Sequence, residues 1–186
     1  FEFKEVRARV KTHLELYRLH AELELHTHHL EKLVEEKVHE ITSAQRGMIF
    51  ALAKLAESRD DDTGTHMDRV SGVCRIIAES LRQYNGYGEI IGSCFVENIF
   101  HTSPLHDIGK VGVSDAILLK PGKLTPEECE VMKTHTIIGA ETLQNVQREF
   151  PDNAFVAMGI EITKWHHERW DGKGYPDGLA EEAIPL

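Results

Sequence analysis

The sequence predicts an all-α protein, and three observations carry that reading. From Glu5 to about Ser58 there is no proline and a single glycine, Gly47, so nothing interrupts one long helix. Further along, apolar residues return at three- and four-residue steps between recognisable helix start and stop signals. No segment shows convincing apolar/polar alternation with the period of two that a half-buried strand requires.

The long first helix carries Leu16, Leu19, Leu23, His26, Leu30 and Leu33 on one register. A second register, offset by one position, follows through Val34, Val38, Ile41, Met48, Leu52 and Leu55, as an inserted stutter produces in a coiled coil. The pattern predicts a helix that pairs with another copy of itself, making the protein a homodimer. Its second half also suits an amphipathic helix folded on its own domain. The histidines of this arm, His13, His20, His26, His28, His29 and His39, stand among Leu, Glu and Lys and read as solvated or interfacial.

After residue 58 the character changes, which divides the chain into an arm, 1–58, and a domain, 59–186. In "RDDDTGTHMDRVSGVCRIIAESLRQY" an acidic start precedes Val70, Val73, Ile76, Ile77 and Leu81, an amphipathic helix that "NGYGE" ends. A helix from about Ile90 runs to "SPLHDIGK", where Gly109 and Gly112 loosen the backbone. Thr125 is then an N-cap, with Pro126 at the first helical position and Glu127 and Glu128 in the first turn. That helix is expected to carry His135 and to continue to about Phe150. Another, from Pro151 or Asp152, is expected to reach His166 and His167 before the glycines of "WDGKGYPDG" impose a loop.

At 186 residues, 41% hydrophobic and 28% charged, the chain is expected to fold around one core as a soluble domain. A net charge of -10 without a dense basic stripe disfavours a nucleic-acid polymer as partner, and leaves room for a small anion held by metal ions. No apolar run approaches the ~20 residues of a bilayer span, and the start lacks the order of a signal peptide, so a cytoplasmic protein is expected. Cys74, Cys94 and Cys129 are widely spaced and read as reduced, buried thiols.

Four places along the domain present metal ligands. Asp62 and His66, at i and i+4, share a helix face. His106 and Asp107 are adjacent and diverge by ~100° on a helix, which suits two ions with a carboxylate able to bridge them. His135 follows one helix later, and His166 with His167 repeats the adjacent pair. Imidazole and carboxylate without thiolate favour iron, manganese, nickel or zinc over an iron–sulfur centre. Paired ions are the usual device for phosphodiester hydrolysis, and Lys110, one turn from His106, could hold a phosphate oxygen.

The segments "LHDIGK", "LLKPGKLTPEE", "MKTHTIIGAE" and "HHERWDGKGYPDGL" resemble, in order and spacing, the signatures of the HD-GYP family, metal-dependent phosphodiesterases of cyclic di-GMP, over about Arg59 to Leu186. The resemblance implies an HD-domain helical bundle that opens cyclic di-GMP to linear pGpG and onward to GMP. It implies His66, His106, Asp107, His135, His166 and His167 as ligands of divalent ions, iron or manganese first and nickel or zinc next. It further implies Lys110 beside the scissile phosphate, and Gly174, Tyr175 and Pro176 near the substrate pocket. "VRARVKTHLEL", Val6 to Leu16, is similar to the last helix of a response-regulator receiver domain joined to such a domain, which implies a two-component regulator.

Two departures qualify the implied activity. The family usually has Glu where this chain has Asp62, one methylene shorter, so two ions rather than three are expected. The family also continues past "IPL" to a further ligand Asp, and residues 1–186 are therefore expected to be impaired in turnover, a signalling and dimerisation module, where a longer chain is active.

Overall fold

The computed structural model describes residues 2–59, 66–84 and 86–186, so Asp62 lies outside the described residues. Among them every regular element is helical: α1 (Phe3–Glu57), α2 (His66–Arg82), α3 (Ser93–Thr102), a 3-10 stretch (Ser103–Gly112), α4 (Asp115–Leu118), α5 (Pro126–Lys133), α6 (His135–Glu149), α7 (Ala154–Trp165) and a 3-10 turn (Glu181–Ala183). Among the described residues the one β feature is an isolated antiparallel bridge between Asp171 and Ala180. No helix among these residues is long and apolar enough to cross a membrane.

The chain divides by packing into Phe1–Gly47 and Met48–Leu186. The first unit is the helical arm. Its Leu16, Leu19, Leu23, Leu30 and Leu33 are all exposed, so the first heptad-like register is an uncovered stripe within one chain. Ion pairs such as Arg9–Glu5 at 2.9 Å lie on its solvated surface, where each contributes a few tenths of a kcal/mol, ~0.3–0.5.

In the second unit the last turns of α1 send Ile49, Phe50 and Ala53 against Met67 and Leu105, while Met48, Leu52 and Leu55 stay exposed. The helix thus has two apolar faces here, and packing divides the chain earlier than the change of sequence character at 58/59. A second cluster joins Ala78, Ile91 and Val96, and a third joins Ala140, Val156 and Ile160. Burying a side chain such as Met67 or Ile91 contributes roughly 1.5–3 kcal/mol. Helices α6 and α7 pack on each other and on the 3-10 stretch, which lies among these helices.

Several expected details differ. On α2 the buried residues are Met67, Ser71 and Ala78, whereas Val73, Ile76 and Ile77 are exposed. Small Ser71 and Ala78 let the neighbouring elements approach closely, and that face wins over the larger apolar one. The helix before "SPLHDIGK" gives way to 3-10 geometry at Ser103, where Pro104 has no N–H for the continuing ladder. The expected single helix from Thr125 to Phe150 is two, because the Thr134 N–H and hydroxyl both bond back to the Val131 carbonyl, at 3.1 and 2.6 Å, and tighten the turn. The N-cap is as expected: Glu128 N–H donates to Thr125 Oγ1 at 3.3 Å and Thr125 N–H to Glu128 Oε2 at 2.7 Å. Helix α7 starts after Asn153, whose Oδ1 accepts from Phe155 and Val156, and stops at Trp165, so His166 and His167 sit in the turn beyond it. Cys94 is exposed, and all three cysteines are free thiols.

Candidate metal centre

Asp107 is the hub. Its Oδ1 lies 3.3 Å from His135 Nε2 and 3.7 Å from His166 Nε2. Its Oδ2 lies 3.1 Å from His106 Nε2 and 3.1 Å from Lys110 Nζ. Asp107, His135, His166 and His167 each offer a ligand atom within 4.8 Å of the others. His66, at the first position of α2, stands behind His106 with ring centroids 6.0 Å apart. One oxygen of the carboxylate therefore faces His135 and His166, and the other faces His106 and Lys110.

What orients the rings is the backbone. His106 Nδ1–H donates to the Ser103 carbonyl at 2.9 Å, and His135 Nδ1–H to the Met132 carbonyl at 2.8 Å. His166 Nδ1–H is shared between the Ile162 and Thr163 carbonyls, both at 3.1 Å. Each of these bonds spends the proton on Nδ1 and leaves Nε2 with a lone pair. His135 Nε2 and His166 Nε2 then face each other at 3.3 Å beside a carboxylate oxygen. Acceptors converging on acceptors repel unless a cation lies among them, and this donor set is the nitrogen and oxygen chemistry that divalent transition ions take. The residues present fit such an ion.

Without an ion a proton can take that place: a neutral ring presents an Nε2 lone pair, and a protonated ring donates Nε2–H to Asp107. Burial works to raise Asp107, but hydrogen bonds from His106 and His166 and the charges of His106 and Lys110 outweigh it and hold the carboxyl far below the usual carboxylate range. Burial works to lower His106, and its hydrogen bond and attraction to Asp107 reverse the sign, leaving it raised. Burial lowers His135, which is 1% exposed. His167 is pulled down to about 4 by burial and by the neighbouring imidazoles, so its ring is neutral near pH 7.

The Gly174–Pro176 loop closes on this cluster. Tyr175 stacks on His167 at 4.5 Å with an interplanar angle of 21°, and Lys133 Nζ lies 5.4 Å from the Tyr175 ring. Burial raises the Tyr175 hydroxyl to about 12, so it remains a neutral donor. A β-carbon on Gly174 would meet Glu168 Cα at 2.4 Å, which is why the backbone here can lie against residues 167–169.

Of the expected site residues, His106, Asp107, Lys110, His135, His166, His167 and Tyr175 gather in one place, His66 stands at its edge, and Asp62 lies outside the described residues. Three supporting features went unread in the sequence. Glu168 Oε1 accepts from the Asp177 and Gly178 N–H groups at 2.8 and 3.0 Å and ties down the end of the loop. Its place between "HH" and a glycine-rich turn, whose amides need acceptors, was an available signal. Buried Thr163 donates to the Leu105 carbonyl at 3.1 Å, joining α7 to the 3-10 stretch. Gly109 and Gly139 meet where the 3-10 stretch crosses α6, with a β-carbon on Gly139 only 3.1 Å from Gly109 N.

An all-helical domain whose central His–Asp pair collects imidazoles from three further elements defines a class, the helical domains built around a His/Asp metal-binding cluster. A family model for the HD domain matches residues 91–186, just over half of the chain. The chain belongs to the HD-domain family. It is 43% identical over 153 residues to a cyclic di-GMP phosphodiesterase of Vibrio cholerae, covering 82% of this chain and 31% of that protein. It is 39% identical over 183 residues to the cyclic di-GMP phosphodiesterase response regulator RpfG of Xanthomonas campestris, covering 98% of this chain and 45% of that protein. A 3'3'-cGAMP-specific phosphodiesterase 2 of Vibrio cholerae is 35% identical over 147 residues, 79% of this chain and 26% of its own length. The chain thus spans less than half the length of each of these relatives.

Proposed function

We propose that this chain forms the catalytic part of a metal-dependent phosphodiesterase that opens cyclic di-GMP to linear pGpG and onward to GMP, as the output of a two-component regulator. The observation that carries the reading is Asp107, whose Oδ1 faces His135 and His166 while its Oδ2 faces His106 and Lys110. Asp107, His135, His166, His167, His106 and His66 would hold the ions. Iron or manganese is the expected pair, with nickel or zinc next. When bound, the ions would lower the pKa of a water and neutralise charge on a phosphoryl group.

The chain's own residues do the rest. His167, neutral near pH 7, keeps its lone pair available as a ligand. Lys110, held beside Asp107, offers an ammonium to a non-bridging phosphate oxygen and so favours the more anionic transition state. Tyr175, on the loop against His167, forms part of the rim that receives a base or ribose. Hydrolysis adds water across one P–O3′ bond, leaving a 5′-phosphate and a free 3′-hydroxyl. The printed names of the relatives support a cyclic dinucleotide as substrate, and the two that are named for cyclic di-GMP are more similar than the one named for 3'3'-cGAMP. The exposed leucine stripe of the arm supports a homodimer through α1.

The test is elemental analysis of anaerobically purified chain with turnover of cyclic di-GMP and 3'3'-cGAMP on the same sample, beside Asp107→Ala. Two ions per chain, preference for cyclic di-GMP in the reduced turnover that residues 1–186 retain, and loss of that turnover in the variant are the expected results. A chain that holds no metal and turns over neither dinucleotide would instead be a signalling and dimerisation module.

A further inference from the structure

A helix end leaves its last carbonyls without partners inside the helix, and the 3-10 stretch ends two residues past Lys110. A single side chain from the end of the α1 region serves that end. Arg59 Nη1 donates to the Val111 carbonyl at 2.8 Å and to the Lys110 carbonyl at 3.3 Å. Its Nη2 donates to the Val113 carbonyl at 3.4 Å and to the Asp115 carboxylate. A guanidinium is planar, with donors in a fixed fork, so these acceptors over positions 110–115 are held in one mutual geometry.

On the other side of Lys110 the chain is pinned by fit. A β-carbon on Gly109 would fall 1.9 Å from the His135 carbonyl oxygen and 2.6 Å from Gly139 N, so the backbone at Gly109 lies directly on α6. Lys110 therefore stands between a steric anchor and a hydrogen-bonded clamp. Its ammonium lies 3.1 Å from Asp107 Oδ2.

We propose that Arg59 is a positioning residue for Lys110: it fixes the backbone from which this lysine projects, and thereby the place of the ammonium beside Asp107. This rests on the phosphodiesterase reading above for its catalytic consequence. Arg59 acts through the carbonyls of its neighbours rather than on substrate, so it governs how well Lys110 is aimed and leaves the metal ligands as they are. A clamp that served only to stabilise the domain would change melting temperature and nothing in the rate.

The experiment compares the full chain with Arg59→Ala and Arg59→Lys by hydrogen exchange, by manganese content after loading, and by kcat and KM for cyclic di-GMP. Arg59→Ala is expected to speed exchange of amides 109–115 while α6 and α7 keep their protection, and to leave manganese content unchanged. Its kcat should fall ~10- to 100-fold, as displaced catalytic groups do, with KM within about threefold of the parent. Arg59→Lys, which keeps the charge and reaches fewer acceptors, should fall between the two, and added guanidinium should restore part of the Arg59→Ala rate. Unchanged exchange at 109–115, an unchanged kcat, or a kcat that falls only in step with lost manganese would each overturn the proposal. If the parent chain itself turns over no dinucleotide, the functional reading fails separately. The positioning claim is then decided by exchange at 109–115 together with the ¹⁵N shift of the Lys110 ammonium, which must move in Arg59→Ala.

Discussion

Gly109 lies so close to His135 that a β-carbon at Gly109 would sit 1.9 Å from the His135 carbonyl oxygen. This contact brings the His–Asp pair and the α6 ligand into one centre, since Asp107 is two residues before Gly109 and His135 is the first residue of α6. Gly109→Ala should separate the two elements and lower stability by ~1–3 kcal/mol, the usual cost of overpacking, or the melting temperature by ~2–12 °C. Gly72→Ala is the matched control. Gly72 has nothing within 4 Å of a β-carbon and sits inside α2, so that change should be neutral or stabilising by up to ~1 kcal/mol.

Lys110→Met removes the ammonium beside Asp107 without touching an imidazole. Metal content should persist while kcat/KM for cyclic di-GMP falls ~10²- to 10³-fold, as loss of one transition-state donor does. Metal lost together with activity would show that Lys110 is needed to assemble the centre and would refute its role at the phosphate.

The imidazoles of the metal-free chain should titrate apart. His106, raised by its bond to Asp107, should hold its proton at a pH where His167, lowered to about 4 by burial, has long been neutral. For His167 the sign follows from linkage. Between its unfolded value of ~6.5 and its folded value the unfolded chain binds a proton that the folded chain does not, so this group makes stability fall as pH drops through that window. NMR titration of the ring protons with thermal melts from pH 7 to 4 checks both statements, and His167→Gln should flatten the slope. A steeper slope in that variant would contradict the assignment.

Glu168 Oε1 accepts two backbone N–H groups from the end of the Gly174–Pro176 loop. Glu168→Ala leaves both donors without that partner, at a cost of ~1–3 kcal/mol. Hydrogen exchange at Asp177 and Gly178 should rise, and KM should rise more than kcat falls if the loop forms the substrate rim.

The leucine stripe of α1 is exposed throughout in one chain. Replacing Leu23 and Leu30 with lysine should convert a dimer to a monomer in sedimentation velocity and leave the melting of residues 48–186 nearly unchanged. A wild-type chain that sediments as a monomer at micromolar concentration would dispose of the dimer.

The helices were readable because their signals are local. Thr125, Pro126 and Glu128 announce the start of α5 within four residues, and the capping box they form needs no other part of the chain. The apolar face of α2 was legible only in part, for the opposite reason: of the periodic set Leu81 packs beside Ala78 and Val70 is half-buried, but Val73, Ile76 and Ile77 are exposed while the close approach of neighbouring elements buries Ser71 and Ala78. The break at Thr134 was also missed, since it is a local switch to an i→i−3 backbone bond, Thr134 N–H to the Val131 carbonyl, for which no residue in the stretch is a signal.

By itself the sequence determined the all-helical class, the exposed arm, and the types and spacing of the ligands: His106 beside Asp107, His135 one element later, His166 beside His167. Only the tertiary structure decided that these stations share one centre, that Asp107 turns Oδ1 toward His135 and His166 and Oδ2 toward His106 and Lys110, and that Nε2 rather than Nδ1 points inward. The physical reason is range. Ring orientation is set by hydrogen bonds to carbonyls three or four residues away, but the convergence of the rings depends on the crossing at Gly109 and Gly139, a contact between segments thirty residues apart that no local pattern encodes.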